Sequence, residues 1–419
     1  MRLHTFSALS LAKVIRAGDS HRFSVNLAKN REAIITSAVK AANEAEIDFT
    51  PTHTARVNKR SCVSLKNYNA SLALRSVSVH LSRKFQLKLM NRDEIVLGVI
   101  RALNDAGPMH IIRRDISSFY ETIPTQSIKE RLSTDTSISK IARQFLKQFF
   151  ENYCPDDVGV PRGLSLSATL AELSLQDFDH TAQRLPGVYR YFRFSDDILL
   201  FCFKSPKEIM ATMENALPPG MQFNKEKSSI LPVTNLDNKN SKAVAFEYLG
   251  YRFSFLDTAK GDKPRPVVVS ISQRKITKLK SRIILSLKRY SKDKNYTLLR
   301  DRLRFLSGNY RVRRFGISAI KTSSHIKSGI YYSYRQCGTY SAQTITAHDC
   351  LELKELDGFY FSLIKSTKSR YFWTLKTQLT TQQYNELRTL SFFKGFDKRM
   401  TARFAPHRVR DIKSAWKNA

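Results

Sequence analysis

Three acidic residues carry the first chemical signal in this 419-residue chain. Asp196 and Asp197 stand side by side in Tyr191-Phe192-Arg193-Phe194-Ser195-Asp196-Asp197-Ile198-Leu199-Leu200-Phe201, between two runs of aromatic and aliphatic residues. The runs predict two buried β-strands, and Phe194-Ser195-Asp196-Asp197 predicts the tight turn between them. Adjacent carboxylates at the tip of an apolar hairpin need neutralising, and Mg²⁺ is bound through one or two carboxylates plus substrate phosphates. Asp115 ends another predicted strand, Met109-His110-Ile111-Ile112-Arg113-Arg114-Asp115-Ile116. A separation of 81 positions between Asp115 and Asp196 leaves room for helical crossovers, so both strands can lie side by side in one sheet. Facing carboxylates so placed can hold two Mg²⁺ ions about 3.5–4 Å apart, with Mn²⁺ as an alternative. The chemistry this serves is in-line phosphoryl displacement: one ion acidifies an attacking hydroxyl and the other stabilises a leaving pyrophosphate.

The elements that must position these carboxylates can be read in order. Residues 1–66 predict helices and loops, an N-terminal helical extension with no chemical motif. Apolar periodicity predicts helices over 67–103, with Asn91-Arg92-Asp93-Glu94 as a helix start. After the Asp115 strand come helices through 124–150, a Gly159-Val160-Pro161-Arg162-Gly163 loop, and a helix from Ser165 to about Leu185. Beyond the Asp-Asp hairpin lie a helix over 206–217, a short strand near Lys225 and Lys227, and a strand pair around Phe246–Phe253. From Ser272 onward the pattern predicts basic helices in place of strands.

Composition narrows the partner. Seventy Lys and Arg oppose 36 Asp and Glu, a net charge of +34, which points to a polyanion. Residues 261–419 hold 34 of the basic residues and only ten acidic ones. In Gln273–Tyr290, Arg274, Lys278 and Arg282 share an amphipathic helix with Ile276, Ile283 and Leu287; Arg311, Arg313 and Arg314 continue the basic strip. Tyr331, Tyr332, Tyr334, Tyr360, Tyr371, Phe372 and Trp373 offer stacking surfaces for unpaired bases or simple core packing. Five cysteines without CxxC spacing give neither a disulfide framework nor a zinc site, and no apolar run is long enough for a bilayer. A soluble, intracellular protein with no membrane partner is expected.

Taken together, Arg114-Asp115-Ile116-Ser117-Ser118-Phe119-Tyr120, Gly159-Val160-Pro161-Arg162-Gly163-Leu164-Ser165-Leu166-Ser167, Phe194-Ser195-Asp196-Asp197 and Phe246–Gly250 resemble palm motifs A, B, C and E of reverse transcriptases, in that order. The resemblance covers about residues 70–310. It implies an α+β right-hand polymerase: fingers-like helices at 67–110 and 124–165, a ferredoxin-like palm of antiparallel sheet and helices at 111–123 and 166–262, and a basic helical thumb and C-terminal RNA- or partner-binding region at 263–419. It implies RNA-directed DNA synthesis from dNTPs, with Asp115, Asp196 and Asp197 as catalytic residues and metal ligands and Ile116 as a backbone ligand. Tyr120 falls at the aromatic gate against a ribose 2′-OH. Arg162, Gly163, Ser167 and Lys227 fall where the family meets the nucleotide, with Lys225 as the alternative to Lys227. Tyr248, Leu249, Gly250 and Tyr251 fall at the primer grip.

The family loop usually reads Pro-Gln-Gly followed by Ser-Pro, where this chain has Pro161-Arg162-Gly163 and Ser167-Ala168; Phe194 replaces the usual motif C tyrosine. No basic fingers hairpin is evident ahead of Asp115. That favours the abortive-infection and defence-associated prokaryotic group, with the type 3 defence system nearest. A structured non-coding RNA template, a DNA product, and a second polymerase subunit or self-association are the partners this implies. Template-independent DNA synthesis by the same palm, or an inactive RNA-binding scaffold, are the alternatives.

Overall fold

The computed structural model describes residues 6–16, 19–44, 47–50, 52–57, 60–87, 90–105, 107–233, 241–257, 264–313, 325–341, 344–346 and 350–416. Two compact units emerge. The first is built mainly from Met1–Asn91 and Pro108–Thr234, the second from Arg92–Gly107, Asn235–Arg314 and Ser323–Ala419.

In the first unit, β1 (Thr52–Val57) and β2 (Arg60–Leu65) form an antiparallel hairpin, and β3 (Met109–Asp115), β4 (Val188–Phe194), β5 (Asp197–Cys202) and β6 (Ser229–Val233) form a sheet of order β4-β5-β3-β6. Helices between β3 and β4, and helix Pro206–Ala216 between β5 and β6, complete a β-α-β-β-α-β arrangement of ferredoxin-like order. β5 is buried nearly throughout because it is central, with an apolar run from Ile198 to Cys202. Helix Tyr68–Lys84 starts where the Asn67 side chain accepts the Ala70 N–H, and buries Leu72, Leu74, Val77 and Leu81. One continuous core joins it to helices Lys140–Tyr153 and Ser165–Ser174 through residues such as Phe149, Leu166 and Leu170. The expected single helix over 165–185 is two, Ser165–Ser174 and Gln176–Arg184, meeting at Leu175.

The hairpin β1–β2 corrects two expectations: 1–66 is not purely helix and loop, and a basic hairpin does precede Asp115, carrying exposed Arg56 and Arg60. It escapes sequence reading because Thr-His-Thr-Ala-Arg-Val alternates only weakly and no Gly marks the turn. The hairpin thus removes one feature that favours the defence group.

In the second unit, β7 (Ala243–Tyr248), β8 (Tyr251–Leu256), β9 (Val267–Ile271), β12 (Gly338–Ser341) and β13 (Thr344–Thr346) form one sheet, in the order β13-β12-β9-β8-β7. A second sheet has β10 (Asn309–Arg313) between β11 (His325–Gly329) and β14 (Thr401–Phe404). Region 263–419 is thus mixed, not helical throughout. β10 reads Asn-Tyr-Arg-Val-Arg, whose charges look like a continuation of the basic helix Tyr296–Ser307, yet Gly308 ends that helix. Helix Arg92–Leu103 belongs here and not with 67–91, since Arg265 donates to the Leu103 and Asp105 carbonyls and Arg92 to that of Leu249. Among the described residues no helix is long and apolar enough to cross a membrane.

Gly163 is where β2 meets the Pro-Arg-Gly loop. The Val63 N–H donates to the Arg162 carbonyl at 2.7 Å, Gly163 has φ +101°, and a Cβ there would lie 2.4 Å from the Val63 carbonyl oxygen. Gly163→Ala is expected to open this contact and speed amide exchange at Val63 at least tenfold, which hydrogen exchange read by mass spectrometry checks; unchanged protection would show that the loop accommodates a side chain.

Candidate active site

The register of β3 on β5 brings the acids together: Asp115 lies directly opposite Asp197, and Phe194 pairs with Asp197 across the β4–β5 hairpin. Directly opposed residues share a face of the sheet. Ser195 and Asp196 form the turn, with Ser195 at φ +60°, and the Asp196 carbonyl accepts the Ile116 N–H at 3.0 Å. The hairpin tip is thereby fastened to the end of β3.

Each carboxylate of the facing pair has a protein cation. Lys227 Nζ donates to Asp115 Oδ2 at 2.9 Å. Arg113, two residues before Asp115, donates from Nε and Nη2 to the two oxygens of Asp197, both at 3.0 Å. Arg113 was missed from the sequence; its signal is the i, i+2 spacing that sets it on the Asp115 face. Burial raises the Asp197 carboxyl above the ordinary range, the Arg113 pair opposes this, and Asp115 and Asp196 add to the rise. A carboxyl raised on folding contributes stability fully below its unfolded value, and that contribution is lost as pH rises through the raised value. An ionised Asp197 is therefore a cost to the fold, which the Arg113 pair offsets in part.

The turn itself hangs on a second missed residue. Arg193 donates to Asp179 (2.7 and 2.6 Å), to Glu172 (3.1 and 2.6 Å) and to the Ser195 carbonyl (3.1 Å), while the Tyr191 hydroxyl donates to Asp179 at 2.6 Å. Burial opposes the charge of Arg193, but the bond to Asp179 and the attraction of both acids outweigh it and raise its pKa. Its signal is a charge between two phenylalanines, Phe192 and Phe194, in a largely aromatic strand.

Tyr120 is half-buried, with Arg162 Cζ 4.7 Å from its ring centroid. Burial raises its phenol, a hydrogen bond with Ser195 opposes that, and Asp196 is among the charges it feels, so Tyr120 sits beside the turn. Arg162 binds Glu121 at 2.7 and 2.9 Å, and this bond, ahead of burial, lowers the Glu121 carboxyl. The Tyr120 carbonyl accepts from Val160 and the Ile123 carbonyl from Gly159, so the loop is stitched along the Tyr120 segment.

Other expected residues are placed differently. Ser167 is 0% exposed, its hydroxyl buried with no hydrogen-bond partner among the described residues, so the structure places it in the core. Leu249 (φ +49°) and Gly250 (φ +79°) make the two-residue β7–β8 turn, which suits a type I′ hairpin. Tyr248 and Tyr251 are buried at 1% and 0%, Tyr251 donating to the Ser333 carbonyl, so only the turn is available to a ligand. Arg274 is exposed, Lys278 and Arg282 are half-buried, and burial lowers Arg282, which lies 5.4 Å from the Trp416 ring. Arg311 is half-buried on β10, Arg313 ends that strand, and Arg314 lies outside the described residues. Tyr360 and Tyr371 are core, whereas Trp373 is exposed.

A comparison with protein-family models matches residues 50–253 to the reverse transcriptase (RNA-dependent DNA polymerase) family. Residues 50–253 are a reverse transcriptase domain. The match spans the Asp115 strand, the Pro-Arg-Gly loop, the Asp-Asp hairpin and the β7–β8 turn, and the expected enzyme class stands for this domain. Comparison with curated proteins gave no match. A telomerase from Candida albicans, solved with a TWJ fragment of telomeric RNA, is a similar solved structure at 12% identity and TM-score 0.32, over 82% of this chain. This chain spans about half (53%) of the telomerase chain.

The oxygen-only donor set fits a hard divalent cation of the Mg²⁺ kind. Among the described residues no three His, Cys, Asp or Glu groups are gathered as a ready-made metal centre. Mg²⁺ does not require one, since it keeps waters and takes substrate phosphates. The ammonium of Lys227 on Asp115 shows that this carboxylate accepts a cation.

Removing Arg193 leaves two largely buried carboxylates facing each other. Arg193→Met in the reverse transcriptase domain is expected to destabilise the fold by about 3–5 kcal/mol, read as a lowered thermal midpoint. A midpoint unchanged from wild type would mean the triad is not what holds the turn.

Proposed function

We propose that the reverse transcriptase domain copies RNA into DNA at the Asp115–Asp196–Asp197 site, adding dNTPs with two Mg²⁺ ions or with Mn²⁺. The observation that carries the reading is the direct opposition of Asp115 and Asp197 on β3 and β5, with Asp196 in the joining turn. When bound, the ions supply Lewis acidity to the primer hydroxyl and charge neutralisation to the leaving pyrophosphate. Asp115 and Asp196 hold them, and Asp197, steadied by Arg113, keeps the hairpin at the right distance. In extended backbone the Ile116 carbonyl lies on the same side as its N–H, which meets Asp196, and this favours it as a backbone ligand. Lys227, 54% exposed on a flexible arm, is free to leave Asp115 for the triphosphate and to give a proton to pyrophosphate.

Tyr120 stands beside the turn as the sugar gate, and Arg162, held by Glu121, braces its ring from above. Gly163 lets the loop lie against β2. The β7–β8 turn at Leu249 and Gly250 is the primer grip, presented through backbone. In hand-shaped terms the β3–β6 sheet is the palm, the helices and hairpin before it the fingers, and the basic helix Gln273–Asp293 the thumb. A structured non-coding RNA as template and a role in antiviral defence complete the reading, along with a second polymerase subunit or self-association. The defence role is supported by the motif resemblance alone.

Asp115→Asn and Asp196→Asn are each expected to lower RNA-templated dNTP incorporation about a thousandfold, the loss of several kcal/mol of metal-borne stabilisation. Primer extension on an RNA template reads this, and incorporation within twofold of wild type sinks the proposal. Loss of phage protection in the same variants is the expected cellular result. Tyr120→Ala is expected to raise incorporation of NTPs relative to dNTPs, by roughly tenfold or more for a lost steric clash. An unchanged ratio would remove Tyr120 as the gate.

A further inference from the structure

The second unit contains a cavity of about 730 Å³ between helix Tyr296–Ser307, β14 and helix Pro406–Ser414, well outside the matched residues 50–253. That is ample for a nucleotide-sized group. Arg300 and Arg304, one helical turn apart, line it together with Arg403, His407 and Arg408. Its two acids are already engaged: Asp301 accepts from Arg408 at 2.7 Å and lies 3.4 Å from Arg300, and Glu386 accepts from the Tyr296 hydroxyl and lies 3.8 Å from Arg300. No carboxylate pairs with Arg304 or Arg403 among the described residues, and both are exposed. Leu390, Met400 and Phe404 give the same cavity an apolar part.

The charge does not stop at the cavity. In the three-stranded sheet, Arg403 on β14 lies in register with Arg311 on β10, which lies opposite Lys327 on β11. Residues in one register row share a face, so three cations stand in line across strands about 4.8 Å apart. Like charges so aligned repel, and the Nε of Arg311 is buried without a hydrogen-bond partner. The row is a cost to the fold that a chain of phosphates would offset.

We infer that the cavity and the Lys327–Arg311–Arg403 row form a binding site for single-stranded nucleic acid, separate from the polymerase site. The row spans about 10 Å, more than one phosphate covers, which favours a phosphodiester strand over a free nucleotide. Exposed Met400 in the cavity wall offers an apolar surface to an unpaired base, which a duplex does not present. Each guanidinium can take a phosphate in bidentate fashion.

The test uses the full chain and fluorescein-labelled U12 RNA and dT12 DNA, followed by anisotropy across a salt series. Arg304→Gln/Arg403→Gln is expected to weaken binding at least tenfold and to flatten the slope of log K against log salt by about 1.4, two single-strand phosphate contacts. Arg304→Lys/Arg403→Lys keeps the charges without the bidentate fork and should keep the wild-type salt slope at an affinity between wild type and the glutamine pair, which separates lost binding from lost folding. The control Lys368→Gln/Lys398→Gln removes two exposed charges elsewhere and should change affinity less than twofold. Equal effects of the cavity pair and the control pair would overturn the site. Equal competition by a 12-base-pair duplex, or full competition by uridine monophosphate at matched nucleotide concentration, would overturn the single-strand reading. Parallel loss for U12 and dT12 is expected, because the site reads phosphate and base face and not the sugar.

Discussion

The register of β3 against β5 is the constraint on which the catalytic end of the reverse transcriptase domain depends. It sets Asp115 directly across from Asp197 and leaves Asp196 at the tip, where its carbonyl is tied to Ile116. A slip of one residue would send the carboxylates to opposite faces. The apolar run of β5, buried on both faces, does not by itself prevent it; the Ser195–Asp196 turn that pairs Phe194 with Asp197, and the bond from the Ile116 N–H to the Asp196 carbonyl, do. Three carboxylates this close are unfavourable by themselves. Lys227 on Asp115 and Arg113 on Asp197 make the arrangement tolerable, while Arg193 ties the turn through Glu172, Asp179 and the Ser195 carbonyl.

Around this centre the support is mostly backbone. The loop 159–163 is stitched to the Tyr120 segment and to β2 by main-chain hydrogen bonds, and Gly163 lets the two backbones approach. Arg162 then has both a carboxylate partner and an aromatic one, so its position is determined before any nucleotide enters. Groups held by packing and fixed hydrogen bonds need little reordering on binding, which is how a shallow site keeps its geometry. Buried Ser167, by contrast, belongs to the packing that positions the loop.

In the second unit electrostatics organises the surface more than the core. Helix Gln273–Asp293 buries Ile276, Ile283, Leu287 and Tyr290 and leaves Arg274 and Lys288 to solvent. The sheet β11-β10-β14 carries cations in one row and aromatic packing from Tyr310 and Phe404 on the other face. So high a positive charge disfavours the compact state through self-repulsion. A polyanionic partner would relieve it at both places.

Much of the reverse transcriptase domain was legible in the sequence. Strand period, turn residues and apolar runs are local, so β3, β4, β5 and the Asp-Asp turn followed from neighbouring residues alone, as did the charge that calls for a polyanion. The family resemblance rested on the same short segments. What was not legible depended on partners far along the chain. β1 and β2 alternate too weakly to announce themselves, and β10, β11 and β14 are short strands whose charges imitate a helix surface. Arg113 and Arg193 were ordinary basic residues until the sheet set them against Asp197, Asp179 and Glu172. Ser167, Tyr248 and Tyr251 looked available until packing buried them. The sequence by itself determined which residues could do chemistry, because side-chain type and local period are properties of short segments. Only the tertiary structure decided which charges face one another and which side chains stay exposed, because burial and ion pairing arise between segments that folding alone brings together.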